Sequence, residues 1–152
     1  MSKSFGFSQA RDAAVTAQRA LDEKISQILL EVLSATADWL RASILAGTLD
    51  LVPLRENYVK WKVKHELDDN PLVATEEYVN AIQLRLDSDG TPYVGVPDMP
   101  HSGGVSMKDL ALFLEFGGRS PARPHYEPAR QYAIELLRKR LTDEGLMIGA
   151  SS

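Results

Sequence analysis

The sequence predicts an α+β fold: a long N-terminal helix, a small antiparallel β-sheet with a flexible loop, and a C-terminal helix packed on the sheet. Three observations carry this reading. Apolar residues recur at the helical period from Leu21 to Trp39, alternate with polar ones from Ile82 to Asp87, and return to the helical period from Ala129 to Leu141. The 152 residues, 44% of them hydrophobic, suit a single domain spanning 1–152 with one modest core.

The first helix is expected from Ser8, as N-cap, to about Ala46, with Asp12 in its first turns. Leu21, Ile25, Ile28, Val32, Ala35 and Trp39 form its stripe, widened by Leu29, Leu33 and Leu40, and Gly47 is a natural stop. A helix of that length reaches ~60 Å at 1.5 Å per residue. That exceeds the ~30 Å width of a compact domain of this size. It is therefore either broken or projecting, and its stripe packs on its own domain or on neighbouring subunits. Thr48 to Pro53 reads as a linker, since Pro53 blocks helical continuation.

Leu54 to about Leu67 suggests a short helix in which Tyr58, Trp61 and Leu67 offer apolar contacts among Lys60, Lys62, Lys64 and Glu66. Asp68-Asp69-Asn70-Pro71 is a turn cluster, after which Thr75 can cap a brief helical turn with Tyr78 packing inward. Ala81 to Asp87 has the period of a half-buried strand, Ser88-Asp89-Gly90-Thr91 a hairpin turn, and Tyr93, Val94 and Val96 a return strand ended by Pro97. Pro97 to Ser106, rich in Pro and Gly, is expected to be a loop that a partner holds. Met107 to Phe116 is a short, almost wholly apolar helix ended by Gly117-Gly118. Pro121 and Pro124 keep the next segment extended. The last helix runs from about Glu127 to Thr142, with Pro128 in its first turn and Arg138-Lys139-Arg140 at its negative end. Residues 1–7 and 146–152 are expected to be arms, flexible or bound by a partner.

Composition and motifs narrow the function. The formal net charge is −4 and the pI about 5.4, which argues against a nucleic-acid-binding module. With no cysteine there is no thiolate nucleophile, disulfide or cysteine metal ligand. No apolar run follows Lys3 and none is long enough to span a bilayer, so no secretory signal or membrane association is expected and folding belongs in a cytoplasm. His65, His101 and His125 have no metal-ligand spacing, and His101 in the loop is at most a pH-sensitive contact. Asp68-Asp69 and Glu76-Glu77 read as solvated charge rather than a general acid/base pair. Gly117-Gly118-Arg119-Ser120 lacks the spacing and lysine of a phosphate loop, and no GxSxG elbow occurs. No catalytic, cofactor or metal site is expected.

The segment Phe113-Leu114-Glu115-Phe116-Gly117-Gly118-Arg119-Ser120-Pro121-Ala122-Arg123-Pro124-His125-Tyr126-Glu127-Pro128-Ala129 resembles the signature of the tail-component family of tailed bacteriophages, known in lambdoid phages as the tenth gene product. That signature has a Glu-Phe-Gly turn, then Pro-Ala-Arg-Pro, an aromatic or apolar pair, and Pro-Ala leading into a terminal helix. Members often carry Gly-Thr where Gly117-Gly118 stands, and Phe-Leu or Phe-Ile where His125-Tyr126 stands, so this version is looser and more polar. The order of elements resembles the family as well.

The resemblance implies a virion structural protein, assembled in the bacterial host cytoplasm, with no enzymatic activity. It would act in the neck or in tail completion, forming a ring at the head–tail interface that joins connector to tail and lines the DNA channel. The ring would be sixfold, or twelvefold on the portal side. Its partners would be other copies of itself, a head-completion or connector protein, and the tail tube or tail terminator protein, with genomic DNA passing transiently through the lumen. The alternatives are a tail terminator capping the tube, or a cytoplasmic protein outside the virion.

The motif residues Glu115, Phe116, Gly117, Gly118, Arg119, Pro121, Ala122, Arg123, Pro124, Tyr126 and Pro128 are then structural or interfacial. Glu115 is expected to accept amide hydrogen bonds from the following turn, and Phe116 to anchor that turn in the core. Gly117 and Gly118 allow backbone angles closed to other residues. Pro121 and Pro124 stiffen the path. Arg123 can pair with a carboxylate, either Glu115 or one on a neighbouring subunit. The basic residues Arg119, Arg123, Arg130, Arg138, Lys139 and Arg140 suggest salt bridges between subunits.

Overall fold

The computed structural model describes residues 6–67, 76–102, 104–118 and 120–147. The chain runs α1 (Phe7–Ala46), α2 (Glu56–Lys64), α3 (Glu77–Ala81), β1 (Gln83–Leu86), β2 (Pro92–Gly95), α4 (Met107–Phe116) and α5 (Tyr126–Asp143). This is the α+β arrangement expected: long helix, two-stranded antiparallel sheet, C-terminal helix.

α1 is an unbroken helix of 40 residues and the spine of the molecule. Gly47 ends it in the left-handed region at φ +67°, where glycine carries no Cβ penalty, and donates to the Ile44 and Ser43 carbonyls. Its N-cap is Gly6 rather than Ser8, which lies inside the helix; the Gly6 carbonyl accepts the Gln9 and Ala10 amides and no side chain caps the end. Every residue from Phe7 to Gln27 is exposed, and burial begins at Ile28 and continues through Val32, Leu40 and Ile44. Of the two possibilities, then, the helix projects. Its first 21 residues extend ~31 Å at 1.5 Å per residue.

The hairpin, α3 and α5 all pack on α1. α5 runs antiparallel to it: Trp39 stacks on Tyr132 with centroids 4.6 Å apart, Glu31 pairs with Arg140, and Lys24 lies 3.4 Å from Glu144. One apolar cluster joins Leu40 and Ile44 of α1 to Tyr78, Val79, Ile82, Val96, Met107 and Ala129. α5 enters this cluster through Ala129 and Tyr126, beside Val94 of the sheet.

The hairpin pairs Gln83 with Gly95 and Leu86 with Pro92. Alternation holds over its first residues, with Ile82 buried and Leu84 half-buried, and fades at the exposed Leu86. In its turn the Asp87 carboxylate accepts the Asp89 and Thr91 amides at 2.9 Å each, and Gly90 adopts φ +80°. Two arginines support the strand: Arg41 donates to the Ile82 carbonyl, and Arg85 to the Gly95 and Ala81 carbonyls.

The segment 97–106, expected to wait for a partner, has bonds of its own. Pro100 bridges Ser106, the His101 amide reaches the Val105 carbonyl at 2.8 Å, and the Met107 amide reaches Met99 at 2.7 Å. Glu77, expected to be simply solvated, accepts both the amide and the hydroxyl of Ser102. Ser106 then caps α4 by accepting the Asp109 amide. Gly103 lies outside the described residues, as do the expected Asp68–Pro71 turn and the Thr75 cap. The cap observed for α3 is Glu76, at φ +61°.

α2 differs from expectation in what it buries. Tyr58 and Trp61 stack on each other at 5.6 Å and stay half exposed, whereas Lys62 is buried, its ammonium 5.6 Å from the Tyr58 ring centroid. A lysine stem is long enough to be covered by apolar neighbours while its head keeps polar contacts.

Candidate functional site

The segment from Glu115 to Pro128 folds back on itself between α4 and α5. At the last turn of α4 the Glu115 carboxylate accepts the amides of His125, Tyr126 and Glu127 at 2.8, 3.1 and 3.2 Å. Those three residues are the N-cap and first two positions of α5. The next position is Pro128, which has no amide hydrogen. One carboxylate and one proline thus settle the donors that an α-helix leaves unpaired at its start. The carboxylate also faces the positive end of the helix dipole. Glu115 therefore accepts amides of a following turn, as expected, but the turn belongs to the next helix.

Gly117 provides the reversal. It sits at φ +86° and ψ 175°, and a Cβ there would meet the Ala122 amide nitrogen at 3.2 Å. Gly118 is different: its φ is not in the left-handed range and a Cβ would find only Phe113 Cδ1, at 3.8 Å. Only one of the two glycines is therefore conformationally required. Pro121 and Pro124 lie exposed and Ala122 half-buried, while Arg119 lies outside the described residues.

Two side chains depart from expectation. Phe116 does not anchor the turn; it is 78% exposed, because the core-facing side of α4 is taken by Met107, Leu110 and Leu114. Among the described residues Arg123 pairs with no carboxylate, Glu115 included. It is buried, its guanidinium donates to the Val52 and Pro53 carbonyls at 2.9 and 3.3 Å, and its amide donates to the Leu114 carbonyl. It pins the linker after α1 to the motif. The basic residues expected to bridge subunits are partly engaged within the chain as well, since Arg130 pairs with Glu127 and Arg140 with Glu31.

The residue that sequence reasoning undervalued is His125. It has no exposed surface, and both ring nitrogens are engaged. Nδ1 lies 2.9 Å from the Arg123 carbonyl, which can only accept, so Nδ1 carries the hydrogen. Nε2 therefore accepts from the Tyr78 hydroxyl at 2.6 Å, and the Tyr126 hydroxyl lies 3.2 Å from that of Tyr78. Burial holds the His125 pKa below its ordinary value, against the opposing pull of the Arg123 carbonyl and the Glu115 carboxylate. Burial likewise pushes both tyrosine hydroxyls up. The ring is a neutral fastener across 47 residues of sequence, enclosed where no substrate reaches it. The signal available beforehand was Tyr78 facing inward; nothing local linked it to His125.

Beside this joint lies an apolar groove of about 700 Å³ among α1, β2, α4 and α5. Leu33, Val94, Ala111, Leu112, Phe116 and Ala133 contribute its walls. Among the described residues no group of three or more His, Asp or Glu side chains could hold a metal ion, and no helix is long and apolar enough to cross a membrane. Compared with known proteins, the chain matches no family model, no curated protein and no solved structure.

Proposed function

We propose that the chain is a non-catalytic structural subunit of a tailed-phage virion, forming a ring in the neck or at tail completion that joins connector to tail around the DNA channel. The observation that carries this reading is the Glu115–Ala129 segment, whose resemblance to the tail-component signature has a physical counterpart. Glu115, Gly117, Arg123 and Pro128 each perform a structural task that their residue type suits. Their polar groups are engaged with backbone rather than presented to a substrate. The projecting half of α1 and the apolar groove also give the molecule two different sticky surfaces. A ring built from repeated head-to-tail contacts needs such a pair on every subunit.

The test is the copy number of the protein in purified virions, measured by quantitative mass spectrometry against the major capsid protein. Six or twelve copies per particle is the expected result. Absence from the virion would overturn the reading and leave a cytoplasmic protein.

A further inference from the structure

We infer that the pocket bounded by α2, α4 and the Glu115–Ala129 segment binds a small carboxylate that carries an apolar group. The site goes beyond the proposed ring role and does not depend on it.

The pocket has a volume of about 370 Å³. Small-molecule sites occupy roughly 300–1,000 Å³ and pair apolar walls with a few placed polar groups. Two cationic side chains line this one, and both are more than nine-tenths buried. Lys62 comes from α2 and is 2% exposed; Arg123 comes from the motif and is 7% exposed.

The Arg123 guanidinium that fastens the linker has donors left over. Nε donates to the Val52 carbonyl and Nη2 to the Pro53 carbonyl. Among the described residues Nη1 meets no acceptor, yet no fully enclosed side-chain nitrogen or oxygen lacks a partner. Nη1 therefore keeps open surface, and this pocket is the space that Arg123 lines. A planar nitrogen with two hydrogens suits a carboxylate oxygen, in a charge-assisted bond stronger than a neutral one. The Lys62 ammonium, a compact charge with three donors, belongs to the same pocket and lies 5.6 Å from the Tyr58 ring centroid.

Charge and wall chemistry select the ligand. Among the described residues lining the pocket, Lys62 and Arg123 stand against Glu76, which leaves one positive charge. His101 lines it as well, with Nε2 3.5 Å from Glu77, and is counted as neutral. Leu54, Leu110 and Leu114 make half-buried aliphatic walls. A phosphate ion would lose water against that hydrocarbon without recompense. A carboxylate with an apolar tail sets its charge at the two cations and its tail against the leucines. Ser120 and Glu76 are exposed and mark the mouth through which it enters.

The test is isothermal titration calorimetry on the full chain with 3-phenylpropanoate, its neutral counterpart 3-phenylpropanol, and inorganic phosphate. Two variants are titrated in parallel. Lys62→Met keeps the length of the stem and removes the charge. Ser120→Glu sets a competing carboxylate at the exposed mouth, where folding is undisturbed, so it decides the matter if Lys62→Met does not fold. The expected result is saturable one-to-one binding of 3-phenylpropanoate. The alcohol should bind at least about tenfold more weakly, and each variant should lose at least about tenfold in affinity for the carboxylate. Equal binding of the alcohol overturns recognition of the charge, and phosphate binding tighter than 3-phenylpropanoate overturns the ligand class. Binding that Ser120→Glu leaves unchanged lies elsewhere and overturns the site, as does no saturable heat up to the solubility limit of the ligand.

Discussion

At Gly117 the chain turns with φ +86° and ψ 175°, a region that side chains with a Cβ essentially do not enter. Gly117→Ala should therefore cost about 1–3 kcal/mol, while Gly118→Ala, whose Cβ makes only an ordinary contact with Phe113 Cδ1 at 3.8 Å, should change stability by less than ~0.5 kcal/mol. Chemical denaturation of the two variants checks this, and equal losses would contradict it. The Gly-Gly pair looks symmetrical in the sequence; the asymmetry arises from how close Ala122 comes to one of them. His125 supports a second residue-scale prediction. Its folded pKa lies below the ordinary 6.5, so between those two values the unfolded chain binds the proton and the folded chain does not. The contribution is fully present above about pH 6.5 and is lost as pH falls below it, by up to ~1.4 kcal/mol per pH unit. Thermal unfolding followed from pH 7.5 down to pH 5 should show that decline in the parent. In His125→Gln, which removes the titrating ring, the decline over this range should shrink; an unchanged slope would place its origin elsewhere.

Elements are held to one another by contacts that can be named. α5 lies along α1 through the Trp39–Tyr132 stack and the Glu31–Arg140 pair. The ion pair is surface-exposed and worth little. The stacked rings are half-buried, nearly parallel at 7°, and add dispersion and quadrupole terms to their buried area. Tyr132→Ala should thus cost about 2 kcal/mol, lowering Tm by about 4–8 °C, whereas Tyr132→Phe keeps the ring and should leave Tm nearly unchanged. A differential scanning calorimetry trace of each variant distinguishes them. α5 itself was legible from its period, from Pro128 and from its basic end. Its cap was legible only in part. Glu115 is ten residues before the first amide it accepts, beyond the reach of local capping rules, and the motif hinted at a turn without saying which helix the carboxylate serves.

Across the whole molecule, stability should be graded along α1. From Ile28 onward the helix is clamped by the sheet, α3 and α5, whereas from Phe7 to Gln27 its backbone bonds face water. A helix end without tertiary packing frays, because only propagation from the clamped turns sustains it. Hydrogen exchange on the dilute protein should find the amides of 10–23 exchanging orders of magnitude faster than those of 32–44. Uniform protection along the helix would show that the arm is held by something beyond its own backbone.

Periodicity and punctuation determined the elements themselves: the long helix and its stop at Gly47, the hairpin around Asp89-Gly90, the short apolar helix, and the α+β class. These are short-range effects, readable within a few residues because they depend on backbone angles and on which face each side chain takes. Tertiary structure alone decided which apolar residues are inside. Phe116 and Trp61 look like core residues by type and lie on the surface, while Lys62, Arg123 and His125 look like surface residues and are buried. The reason is that burial is allotted by the space left among packed elements, and a polar side chain can take that space when backbone carbonyls or a tyrosine hydroxyl stand ready to meet it. For Arg123 and His125 those partners lie 70 and 47 residues away in sequence, so no local pattern announces them.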